Sequence, residues 1–180
     1  MIGVVGLPAS GKGVFSTIAE GLGVPVVVMG DVIRNAVKKA GLPPTDENLG
    51  AMANRLRAER GMDAIAYLCV DAINEQGAPL VLVDGIRGDA EVRVFRKQFP
   101  EFRLVAIETS FAKRLERLRE RKRSDDVGSK EGLLTRDERE LGWGLGNALE
   151  LADIRINNDG TLEDFTKRVT DLIQGMERGS

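Results

Sequence analysis

A chain of 180 residues is long enough to bury a core of its own, and a composition of 42% hydrophobic and 30% charged residues is that of a globular protein. It contains no histidine and one cysteine, Cys69, which excludes imidazole catalysis, histidine metal centres and an internal disulfide and leaves carboxylates, lysine and arginine for any chemistry. The 26 basic and 28 acidic residues give a net charge of −2, so nucleic acid is an unlikely partner and any anion-binding region has to be local.

Along the chain, five apolar, β-branched runs read as buried strands: Met1 to Val5, Pro25 to Met29, Pro79 to Val83, Arg103 to Glu108 and Asp153 to Asn157. The N-terminal run has neither the basic stretch nor the long apolar segment of a secretory signal, no run approaches the ~20 residues of a membrane helix, and a cytoplasmic location is expected. Helical spacing joins the strands, as in Val14, Ile18 and Leu22, in Phe111, Leu115 and Leu118, and in Leu162, Phe165, Val169 and Leu172. Strands alternating with helices predict one α/β domain spanning 1–180, with a parallel sheet covered on both faces. Between Gly30 and Gly77 two or three helices follow one another without a strand, with Thr45 or Asp46 as a cap. That segment reads as an insertion over the carboxyl edge of the sheet, where open α/β folds take their ligands. Lys122 to Leu134, interrupted by Ser124-Asp125-Asp126 and Gly128-Ser129, reads as an irregular flap.

Gly6-Leu7-Pro8-Ala9-Ser10-Gly11-Lys12-Gly13 fits G-x-x-x-x-G-K, with an apolar strand before it and an apolar-periodic helix after it. Such a loop turns successive backbone N–H groups inward, adds the positive end of a helix and brings a lysine to the β- and γ-phosphates of a nucleotide. The candidate ATP-binding residues are therefore Gly6, Leu7, Pro8, Ala9, Ser10, Gly11, Lys12, Gly13 and Val14. Glycine stands at position 13, where a hydroxyl that ligates Mg²⁺ is usual. A carboxylate elsewhere has to help hold the metal, and Asp84, at the end of an apolar run and before Gly85, is the candidate, most simply through water; a plain turn cap is the alternative. Arg87 faces the same crevice as Lys12. Gly30-Asp31-Val32-Ile33-Arg34 offers Asp31 as a helix cap, or as a base for a hydroxyl acceptor, and Arg34 as a clamp for an acceptor phosphate. Among the seven basic residues between Lys113 and Arg123, most read as solvated; Arg119 and Arg123, one turn apart, are the two chosen as phosphate ligands. Arg55, Arg57 and Arg60 read as a solvated helix face.

Taken in order, these residues resemble the nucleoside monophosphate kinase group, adenylate kinases in particular. Gly-x-Pro-x-x-Gly-Lys-Gly is similar to their loop, Gly30-Asp31-x-x-Arg34 to their threonine-glycine-aspartate-x-x-arginine element, Asp84-Gly85-Ile86-Arg87 to their aspartate-glycine-x-proline-arginine segment, and Arg123-Ser124-Asp125-Asp126 to the arginine-x-aspartate-aspartate of their lid. The stretch Ala152 to Leu162 is similar to the last strand and turn of dephospho-coenzyme A kinases. Over nearly its full length the chain resembles a largely archaeal family described as adenylate-kinase-related or dephospho-coenzyme-A-kinase-like, on strings such as Val26-Val27-Val28-Met29-Gly30-Asp31-Val32-Ile33-Arg34 and Glu140-Leu141-Gly142-Trp143-Gly144.

The resemblance implies a P-loop NTPase fold with a five-stranded parallel sheet ordered 2-3-1-4-5, a helical acceptor-binding insertion over 30–77 and a short lid over 119–139. It implies Mg²⁺ as cofactor, ATP and a small phosphate-bearing acceptor as partners, Arg34 and Arg87 on the acceptor phosphate, Lys12, Arg87, Arg119 and Arg123 as the catalytic cations, and Arg136 or Arg139 as a second lid arginine. Val14 stands where the family has threonine, the proline before Arg87 is missing, and no long insertion separates Arg119 from Arg123. A kinase of a hydroxyl on a nucleotide-like molecule and a nucleotide-driven switch are the competing expectations.

Overall fold

The computed structural model describes residues 1–121 and 129–178. In chain order its elements are β1 (Ile2–Val5), α1 (Lys12–Gly21), β2 (Val26–Val28), α2 (Met29–Lys39), α3 (Asp46–Arg60), α4 (Ala64–Asn74), β3 (Leu82–Asp84), α5 (Asp89–Gln98), β4 (Arg103–Glu108), α6 (Phe111–Arg121), α7 (Lys130–Gly142), α8 (Leu145–Glu150), β5 (Ile154–Asn157) and α9 (Leu162–Arg178). The five strands form one parallel sheet in the order β2-β3-β1-β4-β5, as the resemblance implied. All five strand positions read from the sequence are occupied, with ends that differ by up to three residues.

Side chains alternate across each strand, and each face of the sheet buries its own apolar cluster. Ile2, Val4, Val105 and Ile107 meet Phe15 of α1 and Phe165, Val169 and Ile173 of α9 on one face. Val5, Val83, Leu104 and Ala106 meet Cys69 and Ile73 of α4, Phe95 of α5 and Ala148 of α8 on the other. Gly3 belongs to the second face, where a Cβ would stand 2.6 Å from Ile86 and Phe102, so only glycine lets those side chains close over β1.

Between β2 and β3 the chain makes three helices, the upper end of the expected number. Thr45 is the cap of α3, its Oγ1 accepting from the Asn48 N–H at 3.2 Å. Two expectations are corrected. Asp31 does not cap α2: β2 runs straight into that helix, Val28 is its N-cap, and Asp31 already lies inside the first turn. Residues 130–134 are not an irregular flap but helix, because Ser129 accepts from the Gly132 N–H at 3.0 Å and starts α7 at Lys130. Residues 122–128, including Arg123, Asp125 and Asp126, lie outside the described residues. Leu162 at the head of α9 is exposed, the helix meeting the core first at Phe165. Among the described residues no helix is long and apolar enough to cross a membrane.

Candidate active site

β1 delivers the glycine-rich loop to the carboxyl edge of the sheet, between the neighbouring ends of β3 and β4. The loop is strongly bent: Ala9 sits at φ 62° and Gly11 at φ 115°, the second a conformation that only glycine takes without strain. A Cβ on Gly11 would also stand 2.4 Å from Asn158 Nδ2. Lys12 opens α1 and folds back over the loop, its Nζ donating to the carbonyls of Gly6 and of Leu7, the latter at 3.1 Å. The loop is thus shaped around its own cation. Burial pulls the Lys12 pKa down to about 8; the Glu140 and Asp84 carboxylates oppose this and the Arg87 and Arg114 guanidiniums add to it.

The loop is braced from outside by groups that composition alone does not reveal. Ser10 O accepts from Asn158 Nδ2 at 2.8 Å, Thr109 Oγ1 at 3.0 Å and Arg117 Nη1 at 3.3 Å. Pro8 O accepts from Arg114 Nη1 at 3.1 Å. Arg114 is only 3% exposed and forms a two-pronged pair with Asp137 of α7, at 2.8 and 2.7 Å. It occupies an inward position of the pattern Phe111, Arg114, Leu118, and an arginine in an apolar stripe is the signal by which it could have been found. Arg114 and, on the flank of this stripe, Arg117 both touch the loop. Arg119 is exposed, on a side of the helix shared with Leu115, Glu116 and Glu120.

Two hollows flank the loop. The larger, of about 410 Å³, opens toward β2 and β3 and is walled by Pro8 to Gly13, by Val28, Met29, Gly30 and Ile33, by Asp84, Gly85, Arg87 and Glu91, and by Arg57, Ile65, Arg136 and Glu140. The smaller, of about 320 Å³, lies on the β4 and β5 side, between Val14, Lys113, Glu116 and Arg117 and the turn Asn158, Gly160, Thr161 and Leu162. Among the described residues Gly11 alone borders both.

Of the residues proposed from the sequence, Lys12, Asp84 and Arg87 meet in the larger hollow, together with most of the loop. Gly6 and Leu7 contribute carbonyls to Lys12, and Val14 borders the smaller hollow. Asp31 and Arg34 pair with each other, their side chains 56% and 45% exposed, while Gly30 and Ile33 on the adjacent face of α2 line the hollow. The helix starts at Met29, and the 3.6-residue period turns those two inward and the charged pair outward. Arg136 reaches the hollow; Arg139 stands over the Trp143 ring at 5.4 Å.

Arg57 corrects the reading of α3 as a solvated basic face. Its side chain is 12% exposed, 3.7 Å from Glu91 and 5.7 Å from the centre of the Trp143 ring. It follows Ala53 by four residues and so shares that residue's inward face, a spacing visible in the sequence. Glu91 accepts from the Arg87 N–H at 2.7 Å; burial raises its carboxyl above the usual range, while that hydrogen bond and the Arg57 guanidinium hold it down. Arg87 itself pairs with Glu140 at 2.8 Å.

The hydroxyl missing at Gly13 has a counterpart one turn on. Ser16 Oγ donates to Asp84 Oδ2 at 3.0 Å, fixing that carboxylate at the wall of the hollow. Among the described residues no three carboxylate or thiol side chains form a metal cage. A single oriented carboxylate with a hydroxyl beside it and a phosphate site in front suits Mg²⁺, which keeps several waters and takes its other ligands from phosphates.

The comparisons with known proteins agree with this geometry. A family profile described as an AAA domain matches residues 5–132. Among solved structures, a dephospho-CoA kinase from Campylobacter jejuni superposes with a TM-score of 0.64 at 16% identity, over 97% of that chain and 99% of this one. A shikimate kinase from Bacteroides thetaiotaomicron gives a TM-score of 0.60 at 17% identity, covering 97% and 96% respectively. At such identities the fold is what is shared, and it is that of small-molecule P-loop kinases. In sequence, a protein of Methanoregula boonei named UPF0200 protein is 85% identical over 99% of this chain and 98% of its own length, so the chain belongs to the UPF0200 family.

Proposed function

We propose that the protein is an ATP-dependent phosphotransferase that moves the γ-phosphoryl group to a nucleoside monophosphate or a similar small nucleotide carrying a phosphate. The observation that carries this is the larger hollow, in which Arg57, Arg87 and Arg136 face Lys12 across a space of about 410 Å³. Cations gathered from α3, the β3–α5 loop and α7 opposite a phosphate loop suit two phosphates meeting end to end. On this reading α2 to α4 form the acceptor side, residues 119–139 act as a lid over a single catalytic domain, and the smaller hollow beside Arg117 takes the donor's base. Arg119 and Arg123 stay proposed as catalytic cations of that lid, and Asp31 and Arg34 as acceptor ligands at the outer rim.

Phosphoryl transfer asks the protein for alignment and charge neutralisation. The loop N–H groups and Lys12 hold the β- and γ-phosphates, and Arg87 neutralises charge on the equatorial oxygens. Asp84, held by Ser16, would bind Mg²⁺ through its water shell. When bound, that ion supplies Lewis-acid charge to the donor phosphates. An ionised phosphate acceptor needs no base. A hydroxyl acceptor does, and the carboxylates in the hollow are already engaged: Asp84 by Ser16, Glu91 by the Arg87 N–H, Glu140 by the Arg87 guanidinium. This favours the phosphate acceptor over the dephospho-coenzyme A type of reaction.

Incubation with Mg-ATP and a pool of nucleoside monophosphates plus dephospho-coenzyme A, followed by mass analysis, should show a new diphosphate together with ADP. ADP released at the same rate without any acceptor would sink the kinase reading and favour a switch. A pH effect follows from Lys12, whose pKa, pulled down to about 8 by burial, leaves the ammonium about half ionised at pH 8. Polyphosphate favours the ammonium form, so binding Mg-ADP at pH 8 should take up about half a proton, and affinity should fall as the pH rises further. Calorimetry in two buffers of different ionisation enthalpy measures the uptake; none at all would mean that Lys12 does not meet the phosphates.

A further inference from the structure

Glu140 to Gly144 end α7 and turn the chain into α8, and this turn is docked on the loop that carries Arg87. The Trp143 carbonyl lies so close to Gly88 that a Cβ there would stand 2.7 Å from its oxygen. Gly144, at φ 95°, packs against Asp89. Around the Trp143 ring stand three guanidiniums from three separate elements: Arg139 at 5.4 Å, Arg87 at 5.6 Å and Arg57 at 5.7 Å. Three like charges this close repel one another. The ring's negative face is one thing that offsets the repulsion, and the carboxylates of Glu91 and Glu140 are the other.

Two of the three guanidiniums, Arg57 and Arg87, also line the larger hollow. An aromatic ring thereby holds both of them in place. Glu140 is 7% exposed on its side chain and binds Arg87 at 2.8 Å through one carboxylate oxygen, the contact a phosphate oxygen would make.

We infer that Trp143 is a positioning residue for the acceptor's phosphate, holding Arg57 and Arg87 at the wall of the hollow, and that Glu140 competes with a phosphate oxygen for Arg87. The inference rests on the reading above that an anionic acceptor binds here. It names the chemical class that the clamp takes: a phosphomonoester dianion able to displace a carboxylate from Arg87.

Trp143 is the only tryptophan, so its fluorescence reports on this spot alone. With the loop filled by Mg²⁺ and a non-hydrolysable ATP analogue, inorganic phosphate and then AMP are titrated in. A saturable change in tryptophan fluorescence is expected, and calorimetry follows the same binding in variants. Trp143→Leu should weaken phosphate binding about tenfold, the loss of two ring contacts, and Trp143→Phe should recover it to within about threefold. Glu140→Gln should tighten binding, because the internal competitor loses its charge. Wild-type affinity in Trp143→Leu, a folded Trp143→Phe as weak as Trp143→Leu, weaker binding in Glu140→Gln, or no phosphate binding by the wild type would each overturn the inference. If Trp143→Leu fails to melt cooperatively, the phenylalanine and glutamine variants decide. The kinase reading fails separately: phosphate binding with these dependences but no phosphorylated product removes it alone, whereas a product formed with unchanged acceptor KM in Trp143→Leu removes the inference alone.

Discussion

Lys12→Ala should lower turnover by about 10²–10³-fold, the scale set by removing one preorganised electrostatic donor from a site where transition-state charge collects. The argument rests on where the ammonium sits. It is half-buried, held by the carbonyls of Gly6 and Leu7, and faces the hollow in which Arg87 and Asp84 meet. The two arginines that touch the loop are already engaged, Arg114 with Asp137 and Pro8, and Arg117 with Asn158 and Ser10. Burial disfavours the charged form, so the alanine variant should unfold at a temperature no lower than the wild type, and lost activity then reports chemistry rather than folding. Steady-state kinetics with the identified acceptor and a melting curve give both numbers; unchanged turnover would remove the site assignment altogether.

The largest effect on stability is expected from Asp137→Ala. Arg114 and Asp137 are both buried and joined by two short hydrogen bonds, and removing the carboxylate strands a guanidinium where water does not reach. Breaking such a pair costs about 3–5 kcal/mol, which lowers the melting temperature by roughly 10 °C or more in a chain of this size. Because Arg114 also holds the Pro8 carbonyl, nucleotide affinity should fall in parallel. Replacing both partners, Arg114→Met with Asp137→Leu, should restore most of the stability and little of the affinity. Urea unfolding with an unchanged slope measures the first, calorimetry the second. A loss under about 1 kcal/mol in the single variant would show that the pair is open to solvent in solution.

The strands are legible because β-branched runs and the glycine spacing of residues 6 to 13 are local signals, and parallel pairing follows once helices separate them, whereas the order 2-3-1-4-5 comes only from the family resemblance. The side of a helix is a different matter. Arg34, one turn on from Asp31, reads as facing the crevice, but the start of α2 at Met29 rotates it outward and leaves Ile33 at the hollow. Arg57 and Arg114 were hidden for the opposite reason: each belongs to a run of charged residues that reads as a solvated face until neighbouring helices are packed against it. Their signal was present all the same, in the spacing to Ala53 and to Phe111 and Leu118. Ser16 could not be found from the loop motif, because the motif looks for its hydroxyl at position 13 and the structure supplies one a turn later. Trp143 acquires its meaning only from three elements far apart in sequence.

Among the described residues the two hollows share no wall except Gly11. On the proposed reading the donor's base and the acceptor would lie on opposite sides of that residue. Either substrate could then bind first, and product inhibition should be competitive for each product against its own substrate. A single position without a side chain separates the two seats while letting them touch.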